Sequence, residues 1–132
     1  MATQLHVQIS PSDQLAVVTM TGEFDIATAP ELRRVLDEAR GPGGRTVVLD
    51  FAQVRFLDST SLGVLVGVNK RARADGGRLI AVNVSGIPLK VMAITGLAGA
   101  FEVYDAEQTL EAELQAMLAE LQTGMQSQTG TG

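Results

Sequence analysis

Cysteine is missing from the 132 residues. Disulfides, thiolate catalysis and cysteine-based metal sites are therefore excluded. Tryptophan is missing too, tyrosine occurs once and aromatics make up 4% of the chain, so a core drawn from its 45% apolar residues has to be aliphatic. His6 is the sole histidine, and one imidazole does not build a zinc site. Clustered basic charge is also lacking. The net charge of −5 argues against a nucleic-acid binder, which carries concentrated basic surface. It leaves no polybasic patch for anionic lipid. No apolar run approaches the ~20 residues of a membrane-spanning helix. No basic segment followed by an apolar core marks a secretory leader. The expectation is one cytoplasmic domain with no metal and no cofactor, since the length suits a single core and not two.

What the chain does have is concentrated in residues 46–67. Val47-Val48-Leu49 reads as a buried strand. A short polar link follows, and then Asp58-Ser59-Thr60-Ser61 opens a segment with apolar residues at helical spacing. Three hydroxyls and a carboxylate thus fall where a strand hands over to a helix. A helix N-terminus has unpaired N–H groups and partial positive charge. A hydroxyl there can accept a phosphate at little cost to the fold.

The remaining chain supplies strands and helices in alternation. Residues 4–10 alternate polar and apolar, with Leu5, Val7 and Ile9 on one side. Pro11-Ser12-Asp13 is a turn, and residues 14–21 complete an antiparallel hairpin. Gly22-Glu23-Phe24-Asp25 is expected to end that second strand. Thr28, Pro30 and Glu31 spell a capping box with proline in the first turn, followed by a stripe of Ala29, Leu32, Val35, Leu36 and Ala39. Gly41-Pro42-Gly43-Gly44 stops the helix and reads as a linker. Strand three is expected over about 45–51 and helix two over about 59–73, with Leu62, Leu65, Val66 and Asn69 on one side. Gly63 within it suggests close packing against the sheet. Strand four covers 78–84, a third helix about 87–95 with Ile87, Val91 and Ile94 aligned, and a last strand 101–104. Asp105 and Gln108 form a second capping box, opening a helix with the stripe Leu110, Leu114, Met117, Leu118 and Leu121. The fold class is α/β: a mixed sheet of about five strands, an N-terminal hairpin and then parallel, packed with four helices.

Several chemistries lack their parts. Ser59 is not in a Gly-x-Ser-x-Gly elbow, and His6 lies on a distant strand, so a hydrolase has no triad. Residues 41–46 lack the lysine of a phosphate loop and precede a strand. Glu23 and Asp25 have no supporting metal motif or basic group for acid–base work. No catalytic residue is assigned. Asp58 and Ser59 could equally be plain helix caps. Met92 and Leu89, off the third helix's main stripe, suit either core or an apolar contact surface.

The element order, with Gly-Glu-Phe-Asp at 22–25, Phe-Leu-Asp-Ser-Thr-Ser-Leu-Gly at 56–63 and Thr-Gly-Leu at 95–97, resembles the bacterial anti-sigma factor antagonists, single-domain members of the STAS family. The likeness covers about residues 5–118, which implies a STAS domain over 1–122 and a disordered tail over 123–132. It implies a regulator and not an enzyme. The unphosphorylated antagonist binds an anti-sigma factor that is also a serine kinase of histidine-kinase-like ATPase fold, and frees a sigma factor. Phosphorylation dissolves that complex, and a PP2C-type phosphatase resets it. By resemblance the acceptor is Ser59, with Thr60 the alternative. Asp25, Asp58, Thr60, Ser61 and Met92 join Ser59 as partner-binding positions. The family commonly has glycine where this chain has Ser61. Such proteins are monomers when free, with dimers left open, and bind neither nucleic acid nor membrane. The competing interpretation keeps the fold and makes the domain a scaffold or ligand-sensing module of a larger signalling assembly, with Ser59 only a cap.

Overall fold

Alternating aliphatic positions build the sheet. In the computed structural model, which describes residues 3–112 and 116, five strands run in the order β1 (Gln4–Ile9), β2 (Leu15–Phe24), β3 (Thr46–Leu57), β4 (Arg78–Val84) and β5 (Glu102–Asp105) across one sheet. β1 pairs antiparallel with β2, and every later pair is parallel. Helices α1 (Ala29–Arg40), α2 (Ser59–Ala74) and α3 (Gly86–Thr95) occupy the crossovers. A 3₁₀ turn covers Leu97–Gly99, and residues 106–112 are helical. The expected hairpin, strand four and helix order are present. The tail expected over 123–132, and Leu114, Met117, Leu118 and Leu121 of the last stripe, lie outside the described residues.

Ala16, Val18, Met20 and Phe24 of β2, Val47, Leu49 and Phe51 of β3, and Leu79, Ala81 and Val84 of β4 form the inner face. Leu32 and Leu36 of α1 and Leu62, Leu65 and Val68 of α2 cover it. Each of the Val, Leu, Phe and Met side chains among them, fully buried, contributes roughly 1.5–3 kcal/mol by leaving water.

Two strands outrun the sequence pattern. β2 continues to Phe24 and β3 to Leu57, well past the expected ends near 21 and 51. Between Thr19 and Thr21 the partner advances from Asp50 to Gln53, and between Gly22 and Glu23 it advances from Val54 to Phe56. Each shift inserts one extra residue on β3. The inward positions therefore become Phe51, Val54 and Leu57, three apart instead of two. That broken alternation reads as a polar link. Gly22 does not end β2; it lies opposite the second bulge with φ 102°, a conformation glycine adopts without strain.

Three further expectations are corrected. Thr28 is not a side-chain cap of α1, because its hydroxyl bonds back to the Asp25 backbone, accepting from its N–H at 2.9 Å. Glu31 instead pairs with Arg34. On α3, Ile87 and Ile94 point outward, 49% and 83% exposed, while Pro88 and Met92 face inward. Ser85 is the N-cap residue there, and the stripe is rotated from the one expected. Gly63 does not pack against the sheet: it is exposed, and a Cβ built on it meets nothing within 4 Å. The close backbone approach lies instead in the supposed linker. A Cβ on Gly77 would stand 2.3 Å from the Arg45 carbonyl oxygen, and one on Gly44 2.7 Å from that of Asp75.

Candidate functional site

The extension of β2 and β3 beyond the rest of the sheet is what assembles the site. The Asp58 N–H donates to the Phe24 carbonyl at 3.1 Å, the last rung between the two strands. Asp25, one residue beyond Phe24, is thereby set against the start of α2. The loop it opens is fixed by its own carboxylate: Oδ1 accepts from the N–H groups of Ala27 at 3.0 Å and Thr28 at 3.2 Å. Its carbonyl accepts from Thr28 and Ala29 at 3.1 and 3.0 Å. Asp25 thus orders the turn that leads into α1, while Thr28 remains the N-cap residue without a side-chain cap bond.

Asp58 caps α2. In extended conformation (φ −92°, ψ 174°), its Oδ1 accepts from the Ser61 N–H at 2.8 Å. Its carbonyl accepts from the Leu62 N–H at 3.0 Å. The first turn contains no other acid, so this carboxylate alone answers the positive end of the helix. Neither the Ser59 nor the Thr60 N–H has a backbone or side-chain acceptor among the described residues.

The three hydroxyls part company as the helix turns about 100° per residue. Ser59 and Thr60 are exposed. Ser61 is fully buried, and its hydroxyl donates to the Asp25 carbonyl at 3.2 Å. Ser61 therefore corrects one expectation: it is not a docking contact but a tie between the start of α2 and the loop before α1. A glycine at this position would lack the tie for want of a side chain. Met92 corrects another. With 0% exposure it belongs to the core, because α3 turns Pro88 and Met92 toward the sheet, and it offers nothing to a partner. Of the expected positions, the structure brings together Asp25, Asp58, Ser59, Thr60 and Ser61, and sets Met92 apart.

Two depressions that share Arg33, Thr60 and Val64 lie beside this end of α2, between it and α1. The sequence pattern gave no sign of them, since α1 and α2 are far apart in the chain. Asp37 of α1 ties the helices together, accepting from Arg71 Nε at 3.1 Å and Nη2 at 3.3 Å, and from Arg40 Nε at 3.1 Å. Burial pushes the Asp37 carboxyl up, but the hydrogen bonds from Arg40 and Arg71 outweigh it and hold its pKa below the ordinary aspartate value. The described residues contain no cluster of three or more His, Asp or Glu able to hold a metal ion.

The five-stranded mixed sheet and its helices have counterparts among known proteins. Residues 5–110 match the family model described as STAS domain, and the chain belongs to that family. It is similar to the anti-sigma-B factor antagonist of Staphylococcus aureus, 33% identical over 93 residues that span 70% of this chain and 86% of that protein. Among solved structures it resembles an anti-sigma factor antagonist from Mycobacterium paratuberculosis, with a TM-score of 0.70, 26% identity, and 87% and 93% of the two chains covered. It also resembles the Bacillus cell fate determinant SpoIIAA in its phosphorylated form, with a TM-score of 0.59 and 25% identity over 86% of this chain and 99% of that one.

Proposed function

We propose that this chain is an anti-sigma factor antagonist whose docking is switched by a phosphate on Ser59. Unphosphorylated, it binds an anti-sigma factor that is also a serine kinase of histidine-kinase-like ATPase fold, and a sigma factor is released. The kinase transfers the terminal phosphoryl of ATP to the Ser59 hydroxyl, ADP and the hydroxyl proton leave, and the complex separates. A PP2C-type phosphatase restores the hydroxyl by hydrolysis. The observation that carries this is the separation of duties at the start of α2: Asp58 and Ser61 hold the helix and the loop, while Ser59 stands exposed and free of structural work.

The physics of release follows from charge. A phosphate brings about −1.5 to −2 charges at neutral pH. In a closed interface beside the carboxylates of Asp25 and Asp58 it meets like charge and loses water. A loss of ~3–4 kcal/mol weakens binding several hundred-fold. Ser59→Asp, with one charge, imitates this in part, and Ser59→Ala binds constitutively.

The test is direct. The protein is incubated with ATP and each anti-sigma factor of that ATPase fold from its source genome, then digested and weighed. The expected result is one phosphate on the peptide covering 46–70, lost in Ser59→Ala. Equal phosphorylation of Ser59→Ala would move the acceptor to Thr60. Stable binding with no modification by any candidate would defeat the switch.

A further inference from the structure

The two depressions next to Thr60 are one groove. The first, about 340 Å³, runs along Gly63, Gly67 and Arg71 of α2 with Arg33 opposite. The second, about 430 Å³, continues past Val64 to Ala29 and Ile26. Ile26 is 71% exposed, an isoleucine left in water at the groove's open end. The chain is acidic overall, yet this groove has a guanidinium on either side. The Arg33 side chain is 64% exposed and its nearest carboxylate, that of Asp37, is 3.9 Å away. Asp37 is already engaged by Arg40 and Arg71, so the groove carries an excess of positive charge. Its α2 wall carries Gly63 and Gly67, which have no side chains. Glycine weakens a helix interior relative to alanine, and nothing among the described residues requires it at position 63.

We propose that this groove is a second anchoring site for the partner that reads Ser59, and that its occupant is an acidic helix of the anti-sigma factor with an aliphatic face. This rests on the phosphoswitch proposed above and adds the chemistry of the contact. The partner's aliphatic side chains lie on Ile26, Ala29 and Val64, in the manner of a helix laid in a groove. Its carboxylates meet Arg33 and Arg71, where paired charges fix register and speed encounter. Its backbone passes close over Gly63 and Gly67, where a longer side chain would hold it off. Thr60 belongs to the groove and follows Ser59 directly, so one continuous surface carries both contacts.

The probe is whichever anti-sigma factor phosphorylates Ser59 in the assay above. Its affinity is measured by titration calorimetry without ATP, at about 50 and about 300 mM KCl, which changes the screening of exposed charges. Arg33→Glu is expected to weaken binding at least about tenfold at low salt and to flatten the salt dependence. Gly63→Gln is expected to weaken binding at least about tenfold while its melting temperature stays level or rises, since glutamine favours helix. Arg73→Glu makes the same charge change away from the groove, on a residue 56% exposed, and is expected to stay within about threefold. If wild type binds and is phosphorylated while Arg33→Glu and Gly63→Gln stay within about threefold of it, the groove is not the anchor and the Ser59 switch stands. Equal weakening in Arg73→Glu would reduce the effect to overall charge and overturn the groove. If no candidate binds or phosphorylates the wild type, the switch fails and the groove proposal goes with it.

Discussion

Placing a phosphate on Ser59 tests whether the switch is local. The perturbation is co-translational insertion of phosphoserine at position 59, giving a uniform sample without a kinase. Two opposing terms set its effect on stability. Ser59 is the first residue of α2, where the helix end and the unclaimed N–H groups of Ser59 and Thr60 favour an anion. An anion there is stabilised by about 0.3–1 kcal/mol at an exposed site. Against this stands the Asp58 carboxylate one residue earlier, already bound to the Ser61 N–H. With separations of ~7 Å in a watery environment, Coulomb's law gives ~0.6 kcal/mol per unit of added charge, so ~1 kcal/mol for the phosphate. The two nearly cancel, and the net change lies within about 1 kcal/mol of zero.

Urea unfolding followed by far-UV circular dichroism measures this. The phosphorylated and unmodified proteins are expected to share the same dependence on urea, with midpoints differing by less than that 1 kcal/mol and melting temperatures by no more than about 5 °C. The same sample is expected to lose several hundred-fold in affinity for the anti-sigma factor. A loss of more than about 2 kcal/mol of stability would refute the argument. The phosphate would then act by loosening the start of α2, and the docking surface would be lost through the fold and not through charge.

Three other perturbations probe the scaffold. Gly77→Ala drives a Cβ into the Arg45 carbonyl, 2.3 Å away in the native backbone, and is expected to cost about 2–3 kcal/mol by urea titration; an unchanged midpoint would show that the two loops do not need this contact. Asn69 is 5% exposed, with its side-chain carbonyl accepting from the Leu79 N–H and its amide donating to the Ala100 carbonyl, both at 3.1 Å. Asn69→Leu strands both groups and is expected to cost about 2–3 kcal/mol despite the similar volume. Asp37 has a folded pKa held below the ordinary value, so its contribution is present above the unfolded pKa near 3.9 and is lost as pH falls through the folded one. Asp37→Asn is expected to lower stability by about 1 kcal/mol at pH 7 and to close on wild type as the pH falls through the folded pKa, read from paired urea titrations; a gap that stays constant as the pH falls would sink the ion-pair account.

The fold was legible wherever alternation or helical spacing ran unbroken. Val47, Leu49 and Phe51, the stripe of α1, and the reciprocal bonds of Asp105 and Gln108 at 2.9 Å all follow from local pattern. Legibility failed where tertiary contact overrides the local signal. The bulges in β3 space its inward residues three apart, and no period announces that. Thr28 has the identity of a cap, but Pro30 behind it has no N–H to offer and its hydroxyl accepts instead from the Asp25 N–H in the incoming loop. Ser61 shares its residue type with Ser59, and only the rotation of α2 against the Asp25 loop tells them apart. The hydroxyl-bearing start of α2 was readable from residues 58–61; the neighbouring groove was not, since Arg33 and Gly63 come to line one depression only after folding.

Ser61 also bears on how the proposed switch would be read by a partner. A switch of this kind needs a rigid background, or the added charge is absorbed by movement of the loop that carries it. Here the background is over-determined. Asp25 is held by its own carboxylate and carbonyl to Ala27, Thr28 and Ala29, by the β2–β3 ladder ending at Phe24, and by the buried hydroxyl of Ser61. A glycine at 61 would remove the last of these and leave the loop tied through backbone and Asp25 alone. The serine thus converts a position that could admit a partner's backbone into one that fixes the chain's own loop. Two adjacent exposed hydroxyls then sit on a frame tied at several points, and under the proposed switch a charge placed on Ser59 is met by the docking partner instead of being absorbed by the loop.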